Sequence, residues 1–126
     1  MSEFGLSQIG QIAVNVHEPD RAVGFYKDIL GMKLLFRAGQ LAFFDCAGIR
    51  LMLDKPETPE LDHPSSILYF KVPDIAAAHK TLLARGVAFE DQPHIIAQMP
   101  THNLWMCFFR DSESNLLALM CELPRS

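Results

Sequence analysis

The chain has 126 residues, about half of them apolar (49%), with 11 Lys and Arg against 15 Asp and Glu for a formal net charge of −4. That mild acidity, with no Lys/Arg-rich run and no interleaved aromatic pattern, excludes nucleic acid as an expected partner. The apolar runs fall far short of the roughly 18 to 20 residues that cross a bilayer, so no membrane span is expected. A chain of this size buries about two-thirds of the surface its unfolded form exposes, enough for one core.

Met1 to Ser7 include Glu3 and lack a basic segment followed by an apolar one. No secretory leader is expected there, and a cytoplasmic location is the default. Cys46, Cys107 and Cys121 form neither an even set nor a C-x-x-C pair. Lying in or beside apolar runs, they read as buried free thiols.

In chain order, Ile9 to Val16 alternates as a strand does, and Glu18-Pro19-Asp20 carries the proline and acid of a helix start. Ala22, Phe25, Tyr26, Ile29 and Leu30 then form one apolar stripe at helical spacing, and Gly31 supplies a stop. Lys33 to Arg37, Leu41 to Asp45 and Ile49 to Asp54 read as an antiparallel meander with turns at Ala38-Gly39 and Cys46-Ala47-Gly48. The proline- and acid-rich segment 55–64 has little to bury and reads as a surface linker.

Beyond it the pattern restarts. Ile67 to Val72 is strand-like, Pro73-Asp74 opens a helix, and Ile75, Ala78, His79, Leu82 and Leu83 repeat the stripe before Gly86. Val87 to Ile95, Asn103 to Arg110 and Asn115 to Cys121 supply three more strands. Laying Ile67 on Gln11 puts Val72 on Val16, and laying Asp111-Ser112-Glu113-Ser114 on Asp45-Cys46-Ala47-Gly48 puts Ala118 opposite Met52. The expectation is a single α+β domain over 1–126 with an internal repeat of about 56 residues. Repeat one covers about 8–54, the linker 55–64 and repeat two about 65–122, each repeat a βαβββ unit. Each unit would cover one face of its sheet with its helix, so two units joined would make an eight-stranded cup with helices outside.

Two stretches resemble the glyoxalase/bleomycin-resistance/dioxygenase superfamily, the vicinal oxygen chelate proteins. Asp20-Arg21-Ala22-Val23-Gly24-Phe25-Tyr26 followed by Leu30-Gly31-Met32 is similar to its "R-S-x-x-F-Y…L-G-M" helix. Phe109 to Asn115 is similar to its "F-x-D-P-D-G-N" hairpin, with Ser112 and Ser114 in place of Pro and Gly. The resemblance implies the glyoxalase/bleomycin-resistance fold. It also implies that metal-ligand positions, where metal is used, would fall on Gln11, Met52, Ile67 and Ala118. Only Gln11 among them resembles a family ligand, and a tightly held dication needs at least three N, O or S donors, so the chain reads as metal-free with no cofactor.

Strand parity points inward for Gln11, Ala13, Asn15, Arg50, Met52, Ile67, Tyr69, Lys71, Leu116, Ala118 and Met120. From these, with His102 and Trp105 on the neighbouring stretch, the expected ligand-binding set is Gln11, Asn15, Arg50, Met52, Tyr69, Lys71, His102, Trp105 and Met120. Lys71 and Arg50 suit a carboxylate or phosphate, while Asn15 and Gln11 suit a carbonyl or amide. His17 and His63 read as solvated loop histidines and His79 as a packed helix-edge residue. The expected function is binding of a small organic molecule. The alternative is a lyase, isomerase or dioxygenase-type enzyme with an atypical metal or an acid–base group such as His102, Glu90 or Asp91. No catalytic residue is assigned, and the resemblance implies a homodimer.

Overall fold

The computed structural model describes residues 4–125. Its elements are β1 (Gln11–Asn15), α1 (Pro19–Gly24) continued by a π-helical turn (Phe25–Ile29), β2 (Lys33–Ala38), β3 (Leu41–Cys46) and β4 (Ile49–Asp54). After a 3₁₀ turn (Pro59–Leu61) come β5 (Leu68–Lys71), α2 (Ile75–Ala84), β6 (Ala88–Phe89), β7 (His94–Gln98), β8 (His102–Arg110) and β9 (Leu116–Pro124).

Both helices begin where the chain carries start signals. Pro19 occupies the first turn of α1, where its missing N–H costs nothing, and the Asp74 carboxylate caps α2 by accepting from the Ala77 N–H at 3.0 Å. At the far end of α1 the helix widens: the Leu30 N–H reaches the Phe25 carbonyl and the Met32 N–H that of Tyr26. Gly31, at φ +75°, then turns the chain into β2.

The eight-stranded sheet expected from the sequence is realised as two sheets, of four strands (β1-β4-β3-β2) and five (β5-β9-β8-β6, with β7 also on β8). In both, the first strand runs parallel to the last, which lies beside it. The extra strand arises because 87–95 is broken in two. Pro93 cannot donate to a ladder, and the Asp91 carboxylate, not a backbone carbonyl, accepts the Phe108 N–H at 2.8 Å where the chain leaves the sheet.

Alternation gives each sheet a helix-side face and an open face. Val14, Phe44, Leu51 and Leu53 of the first sheet, and Cys107, Phe109, Leu117 and Cys121 of the second, join Tyr26 and Ile75 in one core. Burying a side chain such as Phe44 or Leu53 stabilises by about 1.5–3 kcal/mol. Polar contacts also cross between the halves. The Asn15 N–H donates to Ser65 Oγ at 3.0 Å, Asn115 Nδ2 to the Asn15 carbonyl at 3.2 Å, and Arg85 to the Ile29 carbonyl at 2.8 Å. At the core's margin the Tyr26 hydroxyl donates to Asp111 at 2.6 Å. Among the described residues no helix is long and apolar enough to cross a membrane, and all three cysteines are free.

Candidate functional site

On the open face of the first sheet, register sets Gln11 beside Arg50, and Ala13 and Phe43 on either side of Met52. Gln11 Nε2 lies 3.7 Å from Met52 Sδ. The Arg50 guanidinium sits 5.7 Å from the centre of the Phe43 ring, which stacks on Phe36 at 4.6 Å. Arg50 therefore rests against an aromatic face while remaining exposed.

The open face of the second sheet carries Tyr69, Lys71, Phe108, Ala118 and Met120. Tyr69 and Phe108 meet edge to face at 5.9 Å. Farther along, Glu122 takes Lys71 Nζ at 2.9 Å on one oxygen and His102 Nε2 at 3.0 Å on the other. The hydrogen bond from Lys71, then its charge, and more weakly His102 hold the Glu122 carboxyl below the ordinary carboxylate range. Lys71 and His102 thus share one carboxylate, a partner that the reading of Lys71 as an anion's contact did not include. That reading had the last strand stop at Cys121, whereas β9 continues to Pro124 and carries Glu122 alongside.

A cavity of about 400 Å³ opens beside Tyr69 and Phe108 and is walled by Glu90 and Asp91. It shares Ile67, Arg110 and Leu116 with a hollow of about 580 Å³ lined by Asn15, His17, Asp62, His63 and Glu113. The two run together as one groove from the Tyr69–Phe108 rings to the folded-back linker. Arg110 lies at their junction, donating to Glu90 at 2.6 Å and to the Ser114 carbonyl at 3.1 Å.

The linker is fastened to this groove. Asn15 Nδ2 donates to the carbonyls of Leu61 and His63, each at 2.8 Å, and His17 Nε2 contacts both Asp62 oxygens at 3.0 and 2.9 Å. His17 Nδ1 lies 3.4 Å from Glu113, whose oxygens also accept the His17 and Glu18 backbone N–H groups at 2.9 Å each. The hydrogen bond and charge of Asp62 raise the His17 pKa, against a small desolvation effect, with Glu113 adding to the rise. Burial pushes Glu113 upward, but the two backbone N–H groups and His17 outweigh it and hold its carboxyl low. His17 is therefore no free loop histidine, although it remains exposed. Its two carboxylate partners come from segments remote in sequence.

Of the expected ligand-binding residues, the structure brings Asn15 and Tyr69 to the groove, and the Asn15 side chain is spent on holding the linker. Lys71, His102 and Met120 lie on the same sheet face beyond it, and Gln11, Arg50 and Met52 lie on the first sheet. Trp105 is on the other face of β8: it pairs with Cys121 and packs against the core. His79, half-buried, meets Phe89 edge to face at 4.4 Å. Sequence reasoning missed Asp62, Ser65, Arg110 and Glu113 as wall residues. Arg110 and Glu113, both inside the hairpin motif, were the two with a local signal.

Two sheets with this shared strand order, each backed by a helix on one face and open on the other, define a class of cup-forming α+β proteins. The chain belongs to the Glyoxalase/Bleomycin resistance protein/Dioxygenase superfamily, whose family model matches residues 8–119. Among solved structures it is similar to an integron cassette protein from the mobile metagenome of V. cholerae, with 18% identity, 95% of this chain and 98% of that one covered, and a TM-score of 0.78. It is similar also to lactoylglutathione lyase from Agrobacterium tumefaciens (22%, 92% and 94%, TM-score 0.72) and to a virulence protein from Salmonella typhimurium (16%, 94% and 98%, TM-score 0.75). At these identities the likeness is one of fold. No curated protein sequence matches the chain.

The residues at the four superfamily metal positions do not fit an ion. Met52 offers a thioether, Ile67 and Ala118 have no donor, and Ala118 is fully buried. Gln11 is the single oxygen donor there, and its amide nitrogen faces Met52 sulfur. Among the described residues no group of three or more His, Cys, Asp or Glu side chains is placed to hold a metal.

Proposed function

We propose that the protein binds a small organic molecule in the groove between the Tyr69–Phe108 rings and the linker, without a metal ion at the four superfamily positions. The ligand class is a flat ring system bearing a basic or amide nitrogen. One observation carries this reading: the groove wall sets Asp62, Glu90, Asp91 and Glu113 against only Arg110 and His17 as cations. Ring faces supply apolar area, sparse polar groups orient the ligand, and an excess of carboxylates near aromatic rings favours a cation. This differs from the carboxylate or phosphate expected from Lys71 and Arg50, neither of which lines the groove.

Binding is favoured over acid–base turnover because the titratable wall groups already have partners. Glu90 is paired with Arg110, Asp91 accepts a backbone N–H, and His17 is held between two acids. The test is a melting experiment in chelator with tryptamine and indole-3-acetate, one ring carrying opposite charges. Tryptamine raises the melting temperature of the wild type and does so less, or not at all, in Tyr69→Ala. An equal or larger shift with indole-3-acetate overturns the proposal.

The proposal extends to one domain of two βαβββ units, a cytoplasmic location consistent with three free thiols, and a homodimer. The dimer is supported by surface area. The chain exposes 8265 Å², whereas a compact monomer of 14.2 kDa exposes about 6,800 Å². Part of the difference of about 1,500 Å² comes from the segment 4–10, every residue of which is exposed, and the remainder is surface that a second copy would cover.

A further inference from the structure

Helix α2 does not seal against the rest of the molecule along its whole length. Ala78, Thr81, Leu82 and Arg85 fall at i, i+3, i+4 and i+7 and so share one face of it. That face borders an apolar cavity of about 350 Å³ whose far wall is Leu30, Met32 and Cys46 of the first half. Small-molecule sites run from roughly 300 to 1,000 Å³. Leu30, Met32 and Phe70 pack against the core on one side and are only half-buried, because their other side meets this space. Side chains that border a void forfeit the dispersion contacts that an occupant would return.

The hydroxyl and the charge of the wall both come from the last turn of α2, where Thr81 and Arg85 are exposed. Arg85 Nη1 donates to the Ile29 carbonyl at 2.8 Å, which ties the guanidinium to the end of the π-helical turn beside Leu30. Arg21, Arg37 and Arg110 each have a carboxylate within 3.4 Å, whereas among the described residues Arg85 has none. Arg85 therefore keeps N–H groups for an outside acceptor, in the planar fork that fits a carboxylate. Cys46 and Phe70 also wall a second cavity, of about 230 Å³, bordered by Ile12 and Leu68. Following one another along the seam between the halves, the two cavities make a space that is long rather than broad, a shape for a flexible chain and not for a ring.

We propose that this seam is a second binding site, for an unbranched aliphatic carboxylate. Its head sits on Arg85 beside Thr81, and its chain runs past Leu30, Met32 and Phe70 toward Cys46. The site lies on the helix side of the second sheet, where Phe70 and Leu119 point, and the Tyr69–Phe108 groove lies on the open face. It stands whether or not the groove takes up an amine.

The experiment titrates decanoate and decylamine, one chain with opposite head charges, below their micellar range into the wild type and Arg85→Gln. Calorimetry reads the affinity, and the rate of iodoacetamide alkylation reads the location: Cys46 is half-buried in the cavity wall, whereas Cys107 and Cys121 are buried. Expected are saturable decanoate binding that slows Cys46 alkylation in the wild type, affinity weakened roughly tenfold or more in Arg85→Gln, and neither binding nor protection with decylamine. Far-ultraviolet dichroism checks that Arg85→Gln is folded, and the thiol measurement on the wild type needs no variant. Decanoate that fails to bind, binds without protecting Cys46, or binds no better than decylamine overturns the proposal, as does an affinity that folded Arg85→Gln leaves unchanged.

Discussion

Asp45 and Asp111 open equivalent turns in the two halves of the chain, yet their surroundings are opposite. Asp45 is exposed and accepts one N–H, from Gly48 at 3.1 Å. Asp111 is 6% exposed and gathers the Tyr26 hydroxyl at 2.6 Å, the Glu113 and Asn115 N–H groups at 2.8 Å each, and Asn115 Nδ2 at 3.0 Å. The first turn only reverses the chain. The second is where the first half's helix meets the second half's sheet, with Arg21 donating to the Ser112 carbonyl beside it. An aspartate that caps a turn becomes a tertiary hub once another element closes over it, because the donors it satisfies are then partly or wholly cut off from water.

The comparison breaks most sharply at the aspartates themselves. Asp111→Ala leaves the buried Tyr26 hydroxyl and three part-buried donors without an acceptor and is expected to cost about 3–5 kcal/mol in urea unfolding. Asp45→Ala is expected to cost less than about 0.5 kcal/mol. Equal losses would show that the two turns do the same work. Tyr26→Phe removes one donor and should cost about 1–3 kcal/mol. In the folded protein that phenol's pKa is raised, first by burial and then by the Asp111 charge, so ultraviolet titration should show no Tyr26 ionisation before alkaline unfolding.

A smaller effect sharpens the contrast from the backbone side. Ser114 closes the second turn at φ +66°, where Gly48, following Ala47 at φ +52°, closes the first at φ +90°. A non-glycine residue in that region is strained, and Ser114→Gly should add about 0.5–1 kcal/mol of stability after the entropy of the freer unfolded chain is discounted.

The smallest expected effect is a pH dependence centred on His17 and Glu113. His17, raised above its ordinary 6.5, contributes fully below that value, and its contribution is lost as pH rises through the folded pKa. Glu113, lowered from 4.5, contributes above that value and loses its contribution as pH falls through the folded pKa. The linker attachment is therefore firmest between pH 4.5 and 6.5. His17→Gln should flatten the alkaline side of the melting temperature against pH, and an unchanged profile would remove His17 from the attachment.

The parts legible in the sequence were those set by local chemistry. Pro19 and Asp74 announced their helices, the alternation through Ile12 and Val14 announced a strand, and the two motifs that hold Tyr26 and Asp111 announced the family, though not the hydrogen bond that joins these residues across 85 positions. The break between β6 and β7 had a local signal in Glu90-Asp91-Gln92-Pro93, yet Val87 to Ile95 read as one strand. Trp105 shares its parity with Cys107 and Phe109, so its core-facing side was readable once β8 was placed in register with β9. Other features were not readable from local pattern. Asp62 reaches His17 only because the linker folds back, and Lys71 meets Glu122 only because β5 and β9 pair in parallel. The groove wall was hidden because it joins segments from both halves.

The most direct test of the central claim is calorimetric titration of tryptamine into chelator-treated wild-type protein, with indole-3-acetate as the matched anion. The account predicts saturable binding of tryptamine, little or none of indole-3-acetate, and loss of the signal in Tyr69→Ala. Binding of the anion in preference to the cation, or binding of either only after a metal ion is restored, would contradict it.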